Sequence, residues 1–558
     1  MARTVLGVTS PISWNGSSCL VIDGEVIAFA EEERFNEIKH SKGRLVIESV
    51  EFVLSFSGLK LEDIDEISIG WLHPFSYGPR ALFQMVKENR LEDFPRELVE
   101  GMETAVALER WKREIARRFD CPLELINKKI RYYKHHLCHA ASAVLISGFE
   151  STNFMVFDGR GEYLSGCIGV YKNNNFKITQ EIPIAGSLGA FYSEITSLCG
   201  FSSHSHEGKT MGLAPTGRIK PELYEGIFSF SEKGYNLHKD WRNRLIARFD
   251  RRKVGDELND LHRSLAATAQ FCLENALVRI AKSLWESNPS PRLTLAGGTF
   301  LNCDANSLLL KSLPVDDFFI TPPSNDAGVS MGAALLGCSR KGSMHLRSPC
   351  RLPSPYLGPE YSDSEIEELL CEAKIEFEKF DLDKAVELLA NGMIVARFSG
   401  RMEMGPRALG NRSILANPSF PGMQGKINKE VKHREAWRPF APMVLSDRCN
   451  SIFLDYKPSP YMLQTFVVRD DWVPVIPAVV HCDNTSRVQE VSSSSNYDLY
   501  LLMTRFFEKT GIPVLLNTSF NDKEKPITCN PRQALQAFYS TGIDALILGN
   551  FLIKKRGI

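Results

Sequence analysis

The chain has 558 residues, 43% hydrophobic and 24% charged, an ordinary globular composition that at usual domain sizes demands at least two cores. Lys and Arg number 66 against 67 Asp and Glu, a formal net charge of -1, so no global positive field draws in a nucleic-acid backbone and nucleic acid is not an expected partner. No apolar run is long enough to cross a bilayer, none of the 13 cysteines sits in a C-x-x-C pair, and MARTVLGVTSP lacks the features of a signal peptide. The expectation is a cytoplasmic protein with reduced, buried thiols such as Cys19, Cys138, Cys199 and Cys272.

Short β-rich runs alternate with longer helical patterns, as in α/β or α+β proteins. The first run is TVLGV (4–8). After the polar loop SPISWNGSS a second begins at CLVIDGEVIAFAEEER, where Asp23-Gly24 between apolar runs reads as a hairpin turn. KHHLCHAASAVLISGF then carries a helical apolar pattern. NFMVFDGRGEYLSGCIGVYKNNNFKITQEI repeats the order of strand, glycine-bearing loop, strand, Asn-rich turn and strand, so the N-terminal region is expected to be a duplicated domain with a ligand cleft between its halves. RLTLAGGTFLNCDAN (292–306) is an apolar run that ends at Gly297-Gly298 and leads towards a helix. CSRKGSMHLRSPCRLPSPYLGPEYSDSE reads as a linker, and from Ser364 the stretch EIEELLCEAKIEF restarts regular structure. The expected division is a first domain over 1–340, a linker over 341–362 and a second domain over 363–558.

His135 and His139 stand at i and i+4, so both imidazoles leave one helix face and can chelate one metal ion. Asp158 at the end of NFMVF and Asp326 before an Ala/Gly-rich helix are usable hard ligands, and a His₂Asp₂ set suits iron, manganese or zinc without deciding among them. Each residue alone also fits a core, turn or capping role. The loops SWNGSS, DGRGE and AGGTFLN follow apolar runs, where Gly159, Gly161, Gly297, Gly298 and Asn302 would let phosphates approach backbone N–H groups. Lys209, beside Gly208, adds a cation to such a site. None of these loops is a Walker A or Rossmann fingerprint.

In the C-terminal half, cations are embedded in apolar sequence: Arg407 within GPRALG and Arg438 between Trp437 and Pro439-Phe440. Burying a guanidinium without an anion is costly. A phosphate-binding cleft supplies that anion, and the alternative is an internal Arg–carboxylate pair. Arg487 in DNTSRVQEV adds a further cation, and Asn517 and Ser519 follow a buried run as hydrogen-bonding groups for phosphate or carbamoyl, although both are also turn formers.

HHLCHAASA, FDGRGE, EGKTMGLA, LAGGTFLN, NDAGVSMGAAL, SGRMEMGPRALGNRSILA, INKEVKHREAWRPFAP and PVLLNTSFN occur in that order across most of the chain. Together they resemble the NodU/CmcH-type O-carbamoyltransferases, which decorate natural products including aminoglycosides, ansamycins and cephalosporins. The resemblance implies an α/β protein with an actin-like, sugar-kinase/Hsp70-type N-terminal domain and a YrdC-like C-terminal domain. It places the metal ligands on His135, His139, Asp158 and Asp326, with iron as the expected divalent ion. It places activation-site cations on Arg407, Lys432 and Arg487, with Arg438, Asn517 and Ser519 beside them.

The implied chemistry joins carbamoyl phosphate to ATP, with Mg²⁺, giving carbamoyl-adenylate and pyrophosphate in the C-terminal domain; the carbamoyl group then passes to a small-molecule hydroxyl at the metal-dependent N-terminal site, with AMP leaving. The expected partners are therefore ATP, carbamoyl phosphate and that acceptor, with no nucleic acid, no membrane and a homodimer allowed. The family's first loop carries a His followed by Asp or Asn. Here Trp14 and Asn15 stand there, so the indole is expected to line the acceptor site and to favour a hydrophobic polyketide or macrolide. Competing readings are a kinase of the actin-like fold, a tRNA threonylcarbamoyl transferase and a nucleotide-binding regulator.

Overall fold

A computed structural model describes residues 3–12, 14–88, 94–253, 255–339 and 349–555; residues 341–348 of the expected linker lie outside these. The chain divides into two compact units, one of Met1–Glu32 with His40–Leu352 and the other of Glu33–Lys39 with Pro353–Ile558. The second unit thus includes seven residues from early in the sequence.

In the first unit, β1 (Thr4–Val8), β2 (Ser17–Ile22), β3 (Glu25–Glu31), β4 (Glu66–Ile69) and β5 (Ile130–Tyr132) form a sheet of order β3-β2-β1-β4-β5. β6 (Ser151–Gly161), β7 (Leu164–Lys172) and β8 (Asn175–Pro183) begin the second half, and β9 (Phe228–Ser231) and β10 (Gly234–Leu237) form a separate ribbon. With β11 (Arg292–Ala296) and β12 (Asp317–Ile320) the second sheet runs β12-β11-β6-β7-β8. Both sheets have the same plan: an antiparallel meander of three strands, then two parallel strands added beside the first. This duplication is what the repeated motif order implied. The turns agree as well, since Asp23 and Gly24 (φ 49° and 82°) and Asn173 and Asn174 (φ 52° and 56°) adopt the left-handed pairs of tight hairpins.

Helices His135–Val144 and Ala327–Cys338 pack on each other, the former against the second sheet and the latter against the first. Their approach needs glycine: a Cβ on Gly332 would lie 1.8 Å from the Cys138 carbonyl oxygen, and one on Gly7 would lie 2.0 Å from that of Ser330. The N-terminal ends of both helices, the end of β6 and the residues before Ala327 therefore meet in one place.

At the end of β3, the buried Glu32 carboxylate accepts from the backbone N–H groups of Glu48 and Ser49 and from the Ser49 hydroxyl. Burial pushes Glu32 up to about 8, with the Glu48 carboxyl adding to the shift, while Glu48 is lowered by the proton it accepts from Glu32. The folded protein holds this proton more tightly than the unfolded chain. Its contribution is full below the ordinary glutamate value and is lost as pH rises through about 8. Glu32→Gln should flatten that decline, by on the order of 2–4 °C in melting temperature at the alkaline end. Thermal scans across this range that show the same slope in both proteins would remove the assignment.

The second unit is built on an eight-stranded sheet. In chain order its strands are β13 (Glu378–Lys379), β14 (Val395–Phe398), β15 (Arg412–Ala416), β16 (Ala441–Leu445), β19 (Gln489–Val491), β20 (Val514–Ser519), β21 (Ala545–Leu548) and β22 (Phe551–Lys554), while β17 (Thr465–Val467) and β18 (Thr485–Arg487) pair separately. Alternate residues feed two cores, as a strand's two-residue period requires: Ala396, Ile414, Val444, Leu516 and Leu546 enter one, and Val395, Leu415, Met443, Leu515 and Ile547 enter the other. Both faces are covered, which explains why these strands read as unbroken apolar runs. The helix expected from Ser364 is Asp363–Glu372, started by a capping box in which Ser362 and Glu365 satisfy each other's backbone.

Candidate metal centre and anion site

His135 and His139 lie on the first turns of the helix His135–Val144, both fully buried. Their Nε2 atoms are 3.2 Å apart. Asp158 Oδ2 lies 3.5 and 3.8 Å from the two nitrogens, and Asp326 Oδ1 lies 3.7 and 3.6 Å from them. Four ligands held tetrahedrally at about 2.1 Å from an ion are about 3.4 Å from one another, so the group is already spaced for one ion.

Burial alone would lower His139, but hydrogen bonds and charge from Asp158 and Asp326 hold it up at about 9. Burial also works against ionised Asp158, and the imidazoles overcome it, while Asp326 is pushed up by burial and by the Asp158 charge. One carboxylate is thus balanced and the other is not, a deficit of positive charge that a divalent cation would correct with release of a proton.

Local structure delivers each ligand. Asp326 stands at the N-cap position of the helix Ala327–Cys338 but makes no side-chain capping bond, so its carboxylate is left to the group. The sequence reading ended its strand at Phe157 and opened a loop at Asp158, whereas β6 runs on to Gly161 with a register shift between Phe157 and Gly161. That bulge re-aims the Asp158 side chain. Gly161 makes room for the metal-site imidazole, because a Cβ there would stand 2.1 Å from His135 Cδ2. Glu162 completes the seat, its Oε1 accepting from the N–H groups of Leu72 (2.7 Å) and His135 (3.2 Å); it was not singled out from sequence, although it closes the same DGRGE motif.

Of the other residues expected at the N-terminal site, Gly159, Gly297 and Gly298 lie beside Asp158 and its strand, whereas Asn302, Lys209, Trp14 and Asn15 have other partners. A Cβ on Gly298 would stand 3.1 Å from Asp158 Oδ1, and Gly297 takes φ 98° beside the Phe157 backbone. Gly159 lies in the bulged end of β6. Asn302 caps the next helix through Ala305 N–H and exchanges hydrogen bonds with Gln270, while Lys209 lies over the Phe201 ring. Trp14 is half-buried; its indole N–H donates to the His204 carbonyl, its ring stacks on His40, and the His204 ring meets it edge-on. Asn15 Oδ1 lies 2.7 Å from His40 Nδ1. The strand after this loop ties back to the metal centre, since Ser17 Oγ donates to the carbonyl of Ala327, next to Asp326.

In the second unit, Lys432 is 8% exposed and donates from Nζ to Asn521 Oδ1 (2.8 Å) and to the Ser519 carbonyl (2.5 Å). Burial drives Lys432 well below its usual value, and the charges of Arg434 and Arg438 lower it further. Arg434 is pushed down to about 9 by burial, then by Arg438 and Arg487; Arg438 is lowered by burial and by Arg487, against some relief from Glu435. Arg487 ends β18 with its Nε buried and without a hydrogen-bond partner among the described residues. Four cations that desolvate and repel one another form a site that an anion stabilises.

Lys432, Arg438, Arg487 and Ser519 are therefore brought together. Asn517 donates to the Ala408 carbonyl and to Gln489, and Arg407 immediately precedes Ala408. Sequence reasoning missed Arg434 and Asn521. Each stands two residues beyond a residue that was found, Lys432 and Ser519 respectively, and that spacing was the available signal.

Comparison with known proteins identifies the family. Residues 4–335 match the family described as Carbamoyltransferase N-terminus and residues 386–555 match Carbamoyltransferase C-terminus. Nodulation protein NolNO of Sinorhizobium fredii is 35% identical over 97% of this chain and 79% of its own length. Nodulation protein U of Bradyrhizobium diazoefficiens is 28% identical over 91% of each chain. Among solved structures, full-length HypF in its phosphate- and nucleotide-bound form covers 61% of this chain and 56% of its own at 13% identity and a TM-score of 0.34, a likeness too slight to carry weight beside the strand order. With both halves matched in order, the chain belongs to the carbamoyltransferase family.

Proposed function

We propose that this carbamoyltransferase works in two steps, making carbamoyl-adenylate from carbamoyl phosphate and Mg²⁺-bound ATP in its C-terminal unit with release of inorganic phosphate and pyrophosphate, then moving the carbamoyl group to the hydroxyl of a small-molecule acceptor in its N-terminal unit with release of AMP. The observation that carries the reading is the cation cluster of Lys432, Arg434, Arg438 and Arg487, whose buried charge calls for more anion than the neighbouring side chains supply. Two anionic substrates repel each other, and such a cluster offsets that repulsion as they meet. Asn521 and Ser519 fix the Lys432 ammonium, and the YrdC-like fold implied by the resemblance belongs to this reading. Incubation with ATP and carbamoyl phosphate should release pyrophosphate at a rate that depends on both substrates. Pyrophosphate release without carbamoyl phosphate would detach the cluster from carbamoyl activation, and ADP formed together with a phosphorylated acceptor would point to a kinase instead.

His135, His139, Asp158 and Asp326 would hold one divalent ion, iron by resemblance, which when bound supplies Lewis acidity to the transfer step. The chain's own residues hold the acceptor. Trp14, with His40 stacked on its ring and Lys42 over it, offers an aromatic surface suited to a polyketide or macrolide, and the His204 imidazole edge-on to it offers a proton acceptor where the indole cannot serve. Trp14→Ala should weaken acceptor binding by about 1–3 kcal/mol, as loss of aromatic burial does, and leave pyrophosphate release unchanged. An unaltered acceptor KM and kcat would make Trp14 a packing residue only.

A further inference from the structure

An imidazole that binds a metal through one nitrogen ordinarily donates from the other to a carboxylate or carbonyl, which fixes the ring and its tautomer. His135 and His139 lack that support: their Nδ1 atoms are buried and have no hydrogen-bond partner among the described residues. The torsion that turns an imidazole about its Cβ–Cγ bond is broad and nearly two-fold. A half-turn of His135 would exchange Nε2 for Cε1 and take a ligand atom out of the group. Packing must therefore hold this ring.

Three rings stand steeply against His135. Those of His136 and His139, with centroids 5.1 and 4.7 Å away, lie on the same helix and move with it. The third is Trp71, whose centroid is 4.9 Å away at an interplanar angle of 67°, and it comes from the first sheet, two residues beyond β4. Its place is fixed from before, after and alongside. Gly70 continues β4 by donating to the Val8 carbonyl (2.9 Å), and it lies so close to the helix that follows Asp326 that a Cβ would stand 2.2 Å from Val329 Cγ1. Leu72 donates to the same Glu162 oxygen that receives the His135 N–H. Trp71 and Leu72 also pack on the buried cluster of Ala81, Met85, Tyr163 and Leu164. The Trp71 indole N–H is buried and makes no hydrogen bond among the described residues, whereas a buried tryptophan kept for its N–H would make one. The ring is what this site uses.

We infer that Trp71 is a positioning residue of the transfer site: its ring, in place of a hydrogen bond to Nδ1, holds the His135 imidazole with Nε2 turned into the four-ligand group. This rests on the metal reading of that group and names what keeps it in register. The test titrates Co²⁺ into the metal-free full chain and follows the visible absorption of the bound ion. Trp71→Leu should raise the Co²⁺ Kd about 10–100-fold, the loss usual when the outer support of a metal ligand is removed, and should shift the absorption bands that report ligand geometry, with unchanged circular dichroism. Trp71→Met serves in the same way should Trp71→Leu lose its fold. Trp71→Phe, which keeps an aromatic ring and lacks the N–H, should restore wild-type affinity and spectrum. Wild-type binding by folded Trp71→Leu or Trp71→Met overturns the inference and leaves the metal centre standing. Trp71→Phe as weak as Trp71→Leu also overturns it and makes Trp71 a donor through its indole N–H. A wild-type chain that binds no Co²⁺ removes the metal reading itself, and the inference with it.

Discussion

Lys432→Ala is expected to reduce carbamoyl phosphate-dependent pyrophosphate release by about 10²–10³-fold or more, the scale on which loss of one preorganised charge acts in a closed site. The ammonium is buried, is fixed by Asn521 and Ser519, and is the compact charge in a group whose other members are guanidinium forks. Arg407→Ala should act in the same direction, from the loop whose Ala408 carbonyl holds Asn517. Because burial and like charges already make the Lys432 ammonium costly in the free protein, its removal should not lower the melting temperature by more than a few degrees. Metal content and the transfer of carbamoyl from supplied carbamoyl-adenylate should be preserved. Wild-type pyrophosphate release in either variant would remove the C-terminal cluster from the activation step, whereas a variant that also loses its metal has been damaged more widely than the reading allows.

Much of the first unit was legible in the sequence because its signals are local. Asp23-Gly24 and Asn173-Asn174 fix their hairpins by backbone preference alone, and the i, i+4 histidines needed only one helix to converge. Asp158 was found because it ends an apolar run and Asp326 because it precedes an Ala/Gly-rich helix, but the strand through Asp158–Gly161 was lost. Polar, glycine-rich residues look like a loop when a bulge carries them along a strand. Glu162 stayed hidden for a different reason: its partners are backbone N–H groups of Leu72 and His135, distant in sequence, and such a role leaves no compositional mark. In the second unit the cations stood out against apolar neighbours. Which of them would meet depended on an eight-stranded sheet of mixed direction, and nothing in the spacing of Lys432 and Asn521 announces that they touch. The inclusion of Glu33–Lys39 in that unit was likewise invisible, since these residues follow closely on the strand Glu25–Glu31; only the fold shows Arg34 buried and donating to the Gly405 carbonyl.

The largest effect on the other half-reaction is expected from His139→Ala. The four ligand atoms lie within 4.8 Å of one another, and His139 Nε2 faces all three of the others. Removing it leaves Asp158 and Asp326 with a single imidazole, too little positive charge to hold two buried carboxylates together. The variant should therefore lose bound metal and should carbamoylate acceptor at least about 10²-fold more slowly, beyond the loss typical of an outer-sphere change. Pyrophosphate release should continue, because Lys432, Arg434, Arg438 and Arg487 belong to the other unit. The test is a paired assay on folded protein, with metal by elemental analysis, pyrophosphate for activation and carbamoylated product for transfer. Product formed at the wild-type rate by metal-free His139→Ala would deny the His₂Asp₂ group any part in transfer; failure of both half-reactions in a well-folded variant would break the proposed division of labour between the two units.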